Sequence, residues 1–322
     1  MPASGNVTLI QMNDSHGYFE QHSELFWAGN HADYRPAGGY ARIAAIIKAA
    51  RREHPRGVIA LDNGDTIHGT FPAVHTRGQA LVPILNAIGF DAMTAHWEFA
   101  YGPARLRELL GQLSYPMLAS NAYDRETGAG AFEPSRIVEA GGLRVGVIGI
   151  AATIIDKTMP AHFSEGLSFS LGNEELPDHI SRLRSQEKAD LIVVLSHLGF
   201  PQEMKLAQEV KGIDVLLSSH THNRLYQPVS VGDTLLIQSG CHGSFLGRLE
   251  LAVESGRVVN FRHQLMLVGP DIVPDREVED LVDQALAPYR AELGRVVGET
   301  RTPLNRNTVL EATMDNFLLA AL

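Results

Sequence analysis

Short apolar runs alternate with amphipathic stretches through most of this chain. The apolar runs, such as residues 7–12 and 143–150, have the length of buried strands, and residues 39–52 repeat apolar side chains at helical spacing. From residue 225 to 268 the pattern changes to successive strands separated by glycine turns. Strands that alternate with helices and then follow one another predict an α/β layered fold with two sheets and outer helices.

The pattern also predicts where the individual elements lie. Strands are predicted at residues 7–12, 58–61, 92–95, 143–150, 191–195 and 215–218. Helices are predicted at residues 39–52, 79–88, 103–110, 202–210 and 275–293. An aromatic-rich loop at residues 18–27 follows the first strand, and it either overhangs the strand ends or covers the edge of a sheet.

Five of the predicted strands are followed directly by carboxylate or imidazole side chains. In α/β sheets, ligand sites gather outside the carboxyl ends of the strands. The pairs Asp14/His16 and His220/His222 have a spacing of two, which points both side chains of a pair to one side if the backbone stays extended. The candidate metal ligands are Asp14, His16, Asp65, His96, His197, His220 and His222.

The ligand types restrict the metal. The single cysteine, Cys241, cannot form an internal disulfide, and a cysteine-rich zinc site within this chain is excluded. Seven nitrogen and oxygen ligands are too many for one tetrahedral ion and fit two ions that share a carboxylate. Such ligands suit Mn, Zn or Fe without deciding among them. We therefore expect two divalent ions. Mn is our first choice of ion and Zn or Fe are the alternatives, although the ligand types alone do not select among them.

The charge of the chain predicts the class of substrate. Lys and Arg number 27 and Asp and Glu number 37, so the formal net charge is −10. An excess of acidic residues argues against a nucleic-acid polymer as the partner, because affinity for phosphate backbones comes mainly from Lys and Arg. Two divalent ions beside Asp14 and Asp65 would nevertheless leave a local charge of about +2. We expect a small anionic substrate in that pocket.

Several short blocks carry a family resemblance. They are residues 13–17 (NDSHG), 38–42 (GGYAR), 62–65 (DNGD), 120–121 (SN), 196–197 (SH), 219–222 (SHTH), 238–240 (QSG) and 245–249 (FLGRL). In this order they resemble the calcineurin-like metallophosphoesterases, and more narrowly the 5'-nucleotidase family. The resemblance covers nearly the whole chain and implies a four-layer α/β/β/α sandwich with two mixed sheets.

The same resemblance implies how the ligands are shared. One ion would be held by Asp14, His16, Asp65 and His222. The other would be held by Asp65, His96, His197 and His220. The implied reaction is hydrolysis of a phosphate ester, in which a hydroxide that bridges the two ions attacks the phosphorus. We assign catalytic roles to Asp65, His96 and His242, and substrate binding to Arg42 and Trp97.

One block departs from the nucleotidase pattern. Where the family reads Gly-Asn-His-Glu-Phe-Asp, residues 95–100 read AHWEFA. His96 replaces a metal-binding Asn and can still ligate, but Trp97 replaces the catalytic His and Ala100 replaces its Asp partner. Trp cannot transfer a proton, and losing a general acid or base typically costs about 10²–10⁴ in rate. The usual His-Asp dyad is therefore absent from this block.

The departing block resembles a sister branch. The run HWEFAYG at residues 96–102, together with residues 75–79, is similar to the Sox-type thiosulfohydrolases, which release sulfate from a cysteine S-thiosulfonate on a carrier protein. Three hypotheses follow: a nucleotide-type phosphoester hydrolase, a Sox-type thiosulfohydrolase with a carrier-protein partner, and a metal-binding domain that has lost catalysis. The first is preferred and the third is least favoured, since every ligand position carries a ligating residue.

Three residues near these blocks have open interpretations. His68 lies three residues after Asp65. It either contacts the metal ligands as a second-layer partner, donates a proton, or is only a loop residue. Cys241 fits a small buried residue. His22 has no motif around it and is interpreted as a surface or structural residue.

Residues 1–295 are expected to form the catalytic domain. Residues 296–322 are expected to form a linker and the first helix of a C-terminal substrate domain that is missing from this chain. No stretch approaches the ~20 apolar residues that span a bilayer, and the start has no signal peptide. These features predict a cytoplasmic protein, or a periplasmic one if a leader was removed.

Overall fold

The computed structural model describes residues 3–306 and 311–322. The described strands, in chain order, are β1 (Gly5–Met12), β2 (His22–Ala28), β3 (His31–Ala37), β4 (Val58–Asp62), β5 (Ala92–Met93), β6 (Ala122–Asp124), β7 (Ser135–Ala140), β8 (Leu143–Ile150), β9 (Leu167–Phe169), β10 (Leu191–Ser196), β11 (Val215–Leu217), β12 (Val229–Val231), β13 (Thr234–Ile237), β14 (Phe245–Glu254) and β15 (Arg257–Leu267). The described helices are α1 (Tyr40–Glu53), α2 (Phe71–His75), α3 (Val82–Ile88), α4 (Pro103–Leu110), α5 (Ile155–Thr158), α6 (Leu176–Ser185), α7 (Phe200–Glu209), α8 (Arg276–Leu286), α9 (Arg290–Leu293) and α10 (Thr313–Ala321).

Two large sheets form the body of the fold. The first has the strand order β15-β14-β1-β4-β5, and the second has the order β12-β13-β11-β10-β8-β7. In the first sheet β1, β4 and β5 run parallel, while β14 and β15 are antiparallel to their neighbours. In the second sheet β8, β10, β11 and β13 run parallel, with antiparallel β7 and β12 at the edges. The predicted α/β fold with two mixed sheets is confirmed.

The layers follow from the period-two alternation of side chains along the strands. Leu9 and Leu61 of the first sheet pack with Val145 and Val193 of the second in one buried cluster between the sheets. On the other face of the second sheet, Val194 belongs to a separate cluster with side chains of α6 and α7. Helices α1 and α3 pack together, and α1 contacts β4 of the first sheet. The order of layers is therefore helix, sheet, sheet, helix.

Two predictions of local structure were wrong. The long helix predicted over residues 275–293 is divided into α8 and α9. The break falls at Pro288, which has no N–H to continue the helix and disfavours helical backbone in the residue before it. The predicted aromatic loop contains β2, which forms an antiparallel hairpin with β3.

The chain divides into two compact units, Met1–Ala285 and Leu286–Leu322. The first unit contains both large sheets, and the second contains α9 and α10. The assignment of residues 1–295 to a catalytic domain and of 296–322 to a linker and first helix stays a prediction, and residues 307–310 of that segment lie outside the described residues. Among the helices described, none is long and apolar enough to cross a membrane.

Candidate metal centre

The carboxyl ends of five parallel strands bring polar side chains to one place. Five strands each end one to five residues before a candidate ligand. They are β1, β4 and β5 of the first sheet and β10 and β11 of the second. Because parallel strands in a sheet end at the same edge, the turns after them can meet there. The structure brings all seven candidate ligands together at this edge, in two groups joined by close contacts.

The first group contains four candidate ligands. One ligand atom from each lies within 4.8 Å of the others; the residues are Asp65, His96, His197 and His220. The carboxylate of Asp65 is the centre of the group, since its Oδ2 lies 3.1 Å from His96 Nδ1 and 3.3 Å from His197 Nε2. This is the set that the family resemblance implies for one of the two ions.

The second group contains Asp14, His16 and His222, whose ligand atoms also lie within 4.8 Å of one another. His222 Nε2 lies 3.3 Å from Asp14 Oδ1 and 3.1 Å from His16 Nε2. Two contacts join this group to the first: His16 Nε2 lies 4.0 Å from Asp65 Oδ2, and His197 Nε2 lies 3.5 Å from Asp14 Oδ1. Asp65 therefore lies between the two groups, in the position that a shared ligand requires.

The backbone at these ligands is left-handed rather than extended. Positive φ angles occur at Asp14 (51°), His16 (50°), Asp65 (56°), His220 (70°) and His222 (58°). The extended pairs that the sequence predicted are therefore wrong, because both pairs lie in tight turns after the strand ends. Left-handed backbone costs a non-glycine residue on the order of 1–3 kcal/mol and clusters at functional sites.

Three buried atoms of the candidate ligands have no hydrogen-bond partner in the described part of the chain, and this bears on whether a metal fits between them. Asp14 Oδ1, His96 Nε2 and His197 Nε2 are buried and have no hydrogen-bond partner among the described residues. Buried polar atoms are normally paired, because an unpaired one costs about 1–3 kcal/mol. A divalent cation bound by these atoms would remove that cost, and mixed oxygen and imidazole ligands suit Mn, Zn or Fe. The residues present therefore fit a metal centre.

One carboxylate of the cluster stays ionised although it is buried. Burial favours the neutral form of Asp65, but His197 and the other imidazoles around it outweigh burial and hold the pKa of that carboxyl well below its usual range. Burial likewise opposes the charge of His197, yet Asp65 and Asp14 raise its pKa to about 10. His16 has its pKa lowered to about 3, chiefly by burial. Ionised carboxylate is thus held among imidazoles in the interior.

Glu98 connects two of the ligand-bearing turns. Its side chain is fully buried, and its two oxygens accept hydrogen bonds from four backbone N–H groups. The donors are Asp65 (3.2 Å), Thr66 (2.7 Å), Ile67 (3.3 Å) and His96 (2.8 Å). Sequence reasoning missed this residue, although its position two residues after His96 was a usable signal.

Glu203 supports the turns after β10 and β11 from α7. It is fully buried; Oε1 accepts a hydrogen bond from Leu198 N at 3.1 Å, and Oε2 accepts one from the Ser218 hydroxyl. Leu198 follows the ligand His197 directly, and Ser218 precedes His220 by two residues. The Glu203 carboxyl group therefore holds the backbone directly after His197 and the Ser218 side chain two residues before His220.

Glu203 gives a pH-dependent prediction. Burial raises its pKa to about 7 from an ordinary 4.5, although its hydroxyl partners favour the ionised form. Between these values the folded state keeps a proton that the unfolded state has lost, so stability falls as pH rises. We expect the unfolding free energy to fall from pH 5 to pH 8 by on the order of 1–3 kcal/mol more in the parent protein than in Glu203→Gln. Urea unfolding at both pH values measures this, and equal pH dependence in the two proteins would contradict it.

The other predicted site residues lie in different surroundings. His242 borders the centre: its ring stacks on Tyr18 with centroids 4.4 Å apart, and its centroid lies 5.7 Å from that of His16. Trp97 donates its backbone N–H to Asp65 Oδ1 at 2.7 Å, and its indole stacks on the ring of His68. Both residues therefore lie beside the ligands rather than among them.

His68 and Arg42 differ in their distance from the centre. His68 is a partner of the ligands, since its Nε2 lies 3.4 Å from Asp65 Oδ1 and 3.2 Å from His16 Nδ1. Arg42 is not brought into the ligand groups. It lines a separate cavity together with the acidic residues Glu20 and Glu279, whose charges favour a cation there.

His22 and Glu24 lie near the centre without any sequence motif that marks them. Both are on β2, and Glu24 Oε2 lies 3.5 Å from His22 Nε2 and 3.7 Å from His242 Nδ1. The interpretation of His22 as a surface or structural residue missed this position. The hairpin of β2 and β3, which was not predicted, carries it there, and no local sequence signal marks that packing.

Relatives of this chain are 5'-nucleotidases. Snake venom 5'-nucleotidase of Crotalus adamanteus is 28% identical over 332 residues, which cover 95% of this chain and 55% of that protein. The chain thus spans about half the length of the curated relatives that it matches first. No protein-family model matches the chain.

Solved structures with the same fold include a member of the Sox branch as well as a calcineurin-like phosphoesterase. The sulfate thiohydrolase SoxB of Thermus thermophilus, in complex with glycerol, matches with a TM-score of 0.88 and 26% identity over 100% of this chain and 68% of that chain. The calcineurin-like phosphoesterase YfkN of Bacillus subtilis matches with a TM-score of 0.75 and 18% identity over 91% of this chain and 100% of that chain. The predicted relationship to both nucleotidases and the Sox branch is confirmed.

Proposed function

Because the chain belongs to the 5'-nucleotidase family of calcineurin-like metallophosphoesterases, we propose that it is a metal-dependent hydrolase of nucleotide-type phosphate esters. The observation that carries the proposal is the position of Asp65 between two groups of ligands. Six carboxylate and imidazole ligands in two groups, with the Asp65 carboxylate between them as the seventh, match the needs of two ions that act on one anion.

The roles of the ligands follow from the two groups. Asp14, His16, Asp65 and His222 would hold one divalent ion, and Asp65, His96, His197 and His220 would hold the other. We propose Mn for both. Such ions lower the pKa of bound water and offset the negative charge of a phosphoryl group. Asp65 and His96 take part as ligands at the reacting centre rather than as proton carriers.

His242 is better placed than Arg42 to bind the substrate anion. Its imidazole is partly exposed beside His16 and His222, and the stack on Tyr18 restricts its orientation. A hydrogen-bond donor held next to the ligands can orient an oxyanion without reorganisation. Trp97 borders the centre and stacks on His68, but it cannot transfer a proton to a leaving group.

A second candidate is supported by one specific observation. The sulfate thiohydrolase SoxB of Thermus thermophilus matches the whole of this chain, and Trp97 stands where nucleotidases have the catalytic His. We therefore keep, as the alternative, a Sox-type hydrolase that releases sulfate from a cysteine S-thiosulfonate on a carrier protein. A carrier partner is part of this alternative alone. The alternative also favours the periplasmic location over the cytoplasmic one.

A substrate panel on the full-length protein separates these candidates. We expect the Mn-loaded protein to hydrolyse AMP and bis(p-nitrophenyl) phosphate, and Asp65→Asn to lower the activity by more than about 100-fold. Release of sulfate from a peptide that ends in cysteine S-thiosulfonate, without hydrolysis of the phosphate esters, would replace the proposal with the Sox-type alternative. Hydrolysis of neither substrate class by metal-loaded protein would favour a binding domain without catalysis.

A further inference from the structure

A third group of metal-binding side chains lies at the end of β13. Cys241 and His242 follow this strand by four and five residues, and β13 pairs with β11, which precedes His222. One ligand atom each of His222, Cys241 and His242 lies within 4.8 Å of the other two. The pairing of two neighbouring strands therefore brings the single cysteine of the chain beside a ligand of the metal centre.

This group is open to ions from solvent. The side chains of His222 and His242 are 37% and 31% exposed, while Cys241 is 9% exposed. The thiol is therefore the most buried of the three groups, and both imidazoles reach the protein surface. An incoming ion can meet the imidazoles first and then the sulfur without unfolding of the strand ends.

The donor set differs from that of the main centre. The two ligand groups around Asp65 contain only carboxylate and imidazole. A thiolate with two imidazoles instead resembles the Cys and His ligands of protein zinc sites, and soft thiolate ligands select against Mn. Such sites bind Zn at about 2.3 Å from sulfur and about 2.0–2.1 Å from nitrogen. Atoms within 4.8 Å of one another can reach these distances by small side-chain rotations.

We propose that His222, Cys241 and His242 form a binding site for a thiophilic divalent cation, zinc or cadmium, that is additional to the two ions around Asp65 and shares the ligand His222 with one of them. Three protein ligands leave one position of a tetrahedral ion for water or a small anion. The site needs no residue beyond these three.

The shared ligand makes this site inhibitory, and this consequence rests on the proposed hydrolase activity. His222 Nε2 lies 3.3 Å from Asp14 Oδ1 in the second ligand group. An ion that binds His222 together with Cys241 draws the imidazole away from Asp14 and His16. The Mn-loaded enzyme then lacks one ligand of an ion, so zinc or cadmium inhibits by competing for His222 rather than for the substrate.

Cadmium titration of metal-free full-length protein tests the site without any activity assay. Cys241 is the single cysteine of this sequence, and the part of the thiolate-to-cadmium charge-transfer absorption that is lost in Cys241→Ser reports this thiolate. We expect this absorption to appear with a stoichiometry of one ion, and to weaken in His242→Gln through an affinity at least about tenfold lower. No charge-transfer absorption at saturating cadmium would overturn the proposal.

Inhibition provides the second measurement. We expect zinc to inhibit the Mn-loaded parent protein at least about tenfold more strongly than Cys241→Ser, since the serine hydroxyl is a poor ligand for a soft ion. Equal inhibition of the two proteins would refute the inhibitory role. If the hydrolase proposal itself fails, the absorption is still present, so the two failures are distinguishable.

Discussion

Asp65→Asn is expected to lower hydrolysis by more than about 100-fold and to remove at least one of two bound ions. Losing a residue that only supports a ligand typically costs about 10–100-fold in metal affinity or activity, and Asp65 is placed to be a ligand itself. Its Oδ2 faces His96 and His197, and its Oδ1 faces His68. The Asn amide keeps the shape but replaces one oxygen with a donor that cannot bind a cation.

Metal analysis and kcat/KM, both on the full-length protein, measure this effect. Asp280→Asn is the matched control, because Asp280 lies on α8 with its side chain 59% exposed and has a surface ion pair with Arg276. It should change neither quantity, since surface ion pairs contribute little. An Asp65→Asn protein that keeps two ions and ordinary activity would show that Asp65 is not shared.

Glu98→Gln is expected to destabilise the fold by on the order of 3–5 kcal/mol and to weaken metal binding with it. Hydrogen bonds to a charged group each contribute about 1.5–3 kcal/mol, and they do not add fully. Each oxygen of Glu98 accepts hydrogen bonds from two backbone N–H groups. In Glu98→Gln the amide NH₂ replaces one of these oxygens and points its own hydrogens at two N–H donors, so both hydrogen bonds are lost. The turns that carry Asp65 and His96 then lose their common partner.

Urea unfolding and the apparent Kd for Mn measure the two effects of Glu98→Gln. Glu108→Gln is the control, because the Glu108 side chain is 63% exposed and pairs with Arg105 on the surface of α4. Its unfolding free energy should stay within about 0.5 kcal/mol of the parent value. A Glu98→Gln protein with unchanged stability and Mn affinity would show that the turns are held without the carboxylate.

The sequence could predict that the candidate ligands lie near one another because each follows an apolar run closely. Residues 58–61 and 191–195 read as buried strands, so Asp65 and His197 had to lie just beyond strand ends. These two strands lie in different sheets, and the packing of the sheets on each other brings their ends together, with Asn63 Nδ2 donating to Ser196 O at 3.1 Å. The fold class and the ligand set therefore come from one pattern of apolar runs and polar ends.

The conformation of the turns could not be predicted. Spacing of two residues suggested extended backbone at Asp14 and His16, whereas both residues are left-handed. That geometry depends on tertiary contacts such as the hydrogen bond from His16 N to Asp65 O at 2.7 Å. Positive φ is uncommon in non-glycine residues, although Asp and His adopt it more often than most, so the packed structure is needed to specify it here.

Contacts between segments that are distant in the chain could not be predicted from the sequence either. His222 and Cys241 meet because β11 pairs with β13, and His22 meets His242 because the hairpin of β2 and β3 brings it there. Arg42 was assigned to the substrate by its motif, but the side of α1 on which it lies directs it to another cavity. Apolar periodicity determines which face of a helix is buried and does not determine which polar group reaches the site.

Anomalous diffraction from crystals of the full-length protein loaded with Mn tests the central claim most directly. Two peaks are expected, one in each ligand group, and both within about 2.0–2.3 Å of the Asp65 carboxylate. A single peak, or two peaks of which one lies away from Asp65, would contradict a two-ion centre built around that residue.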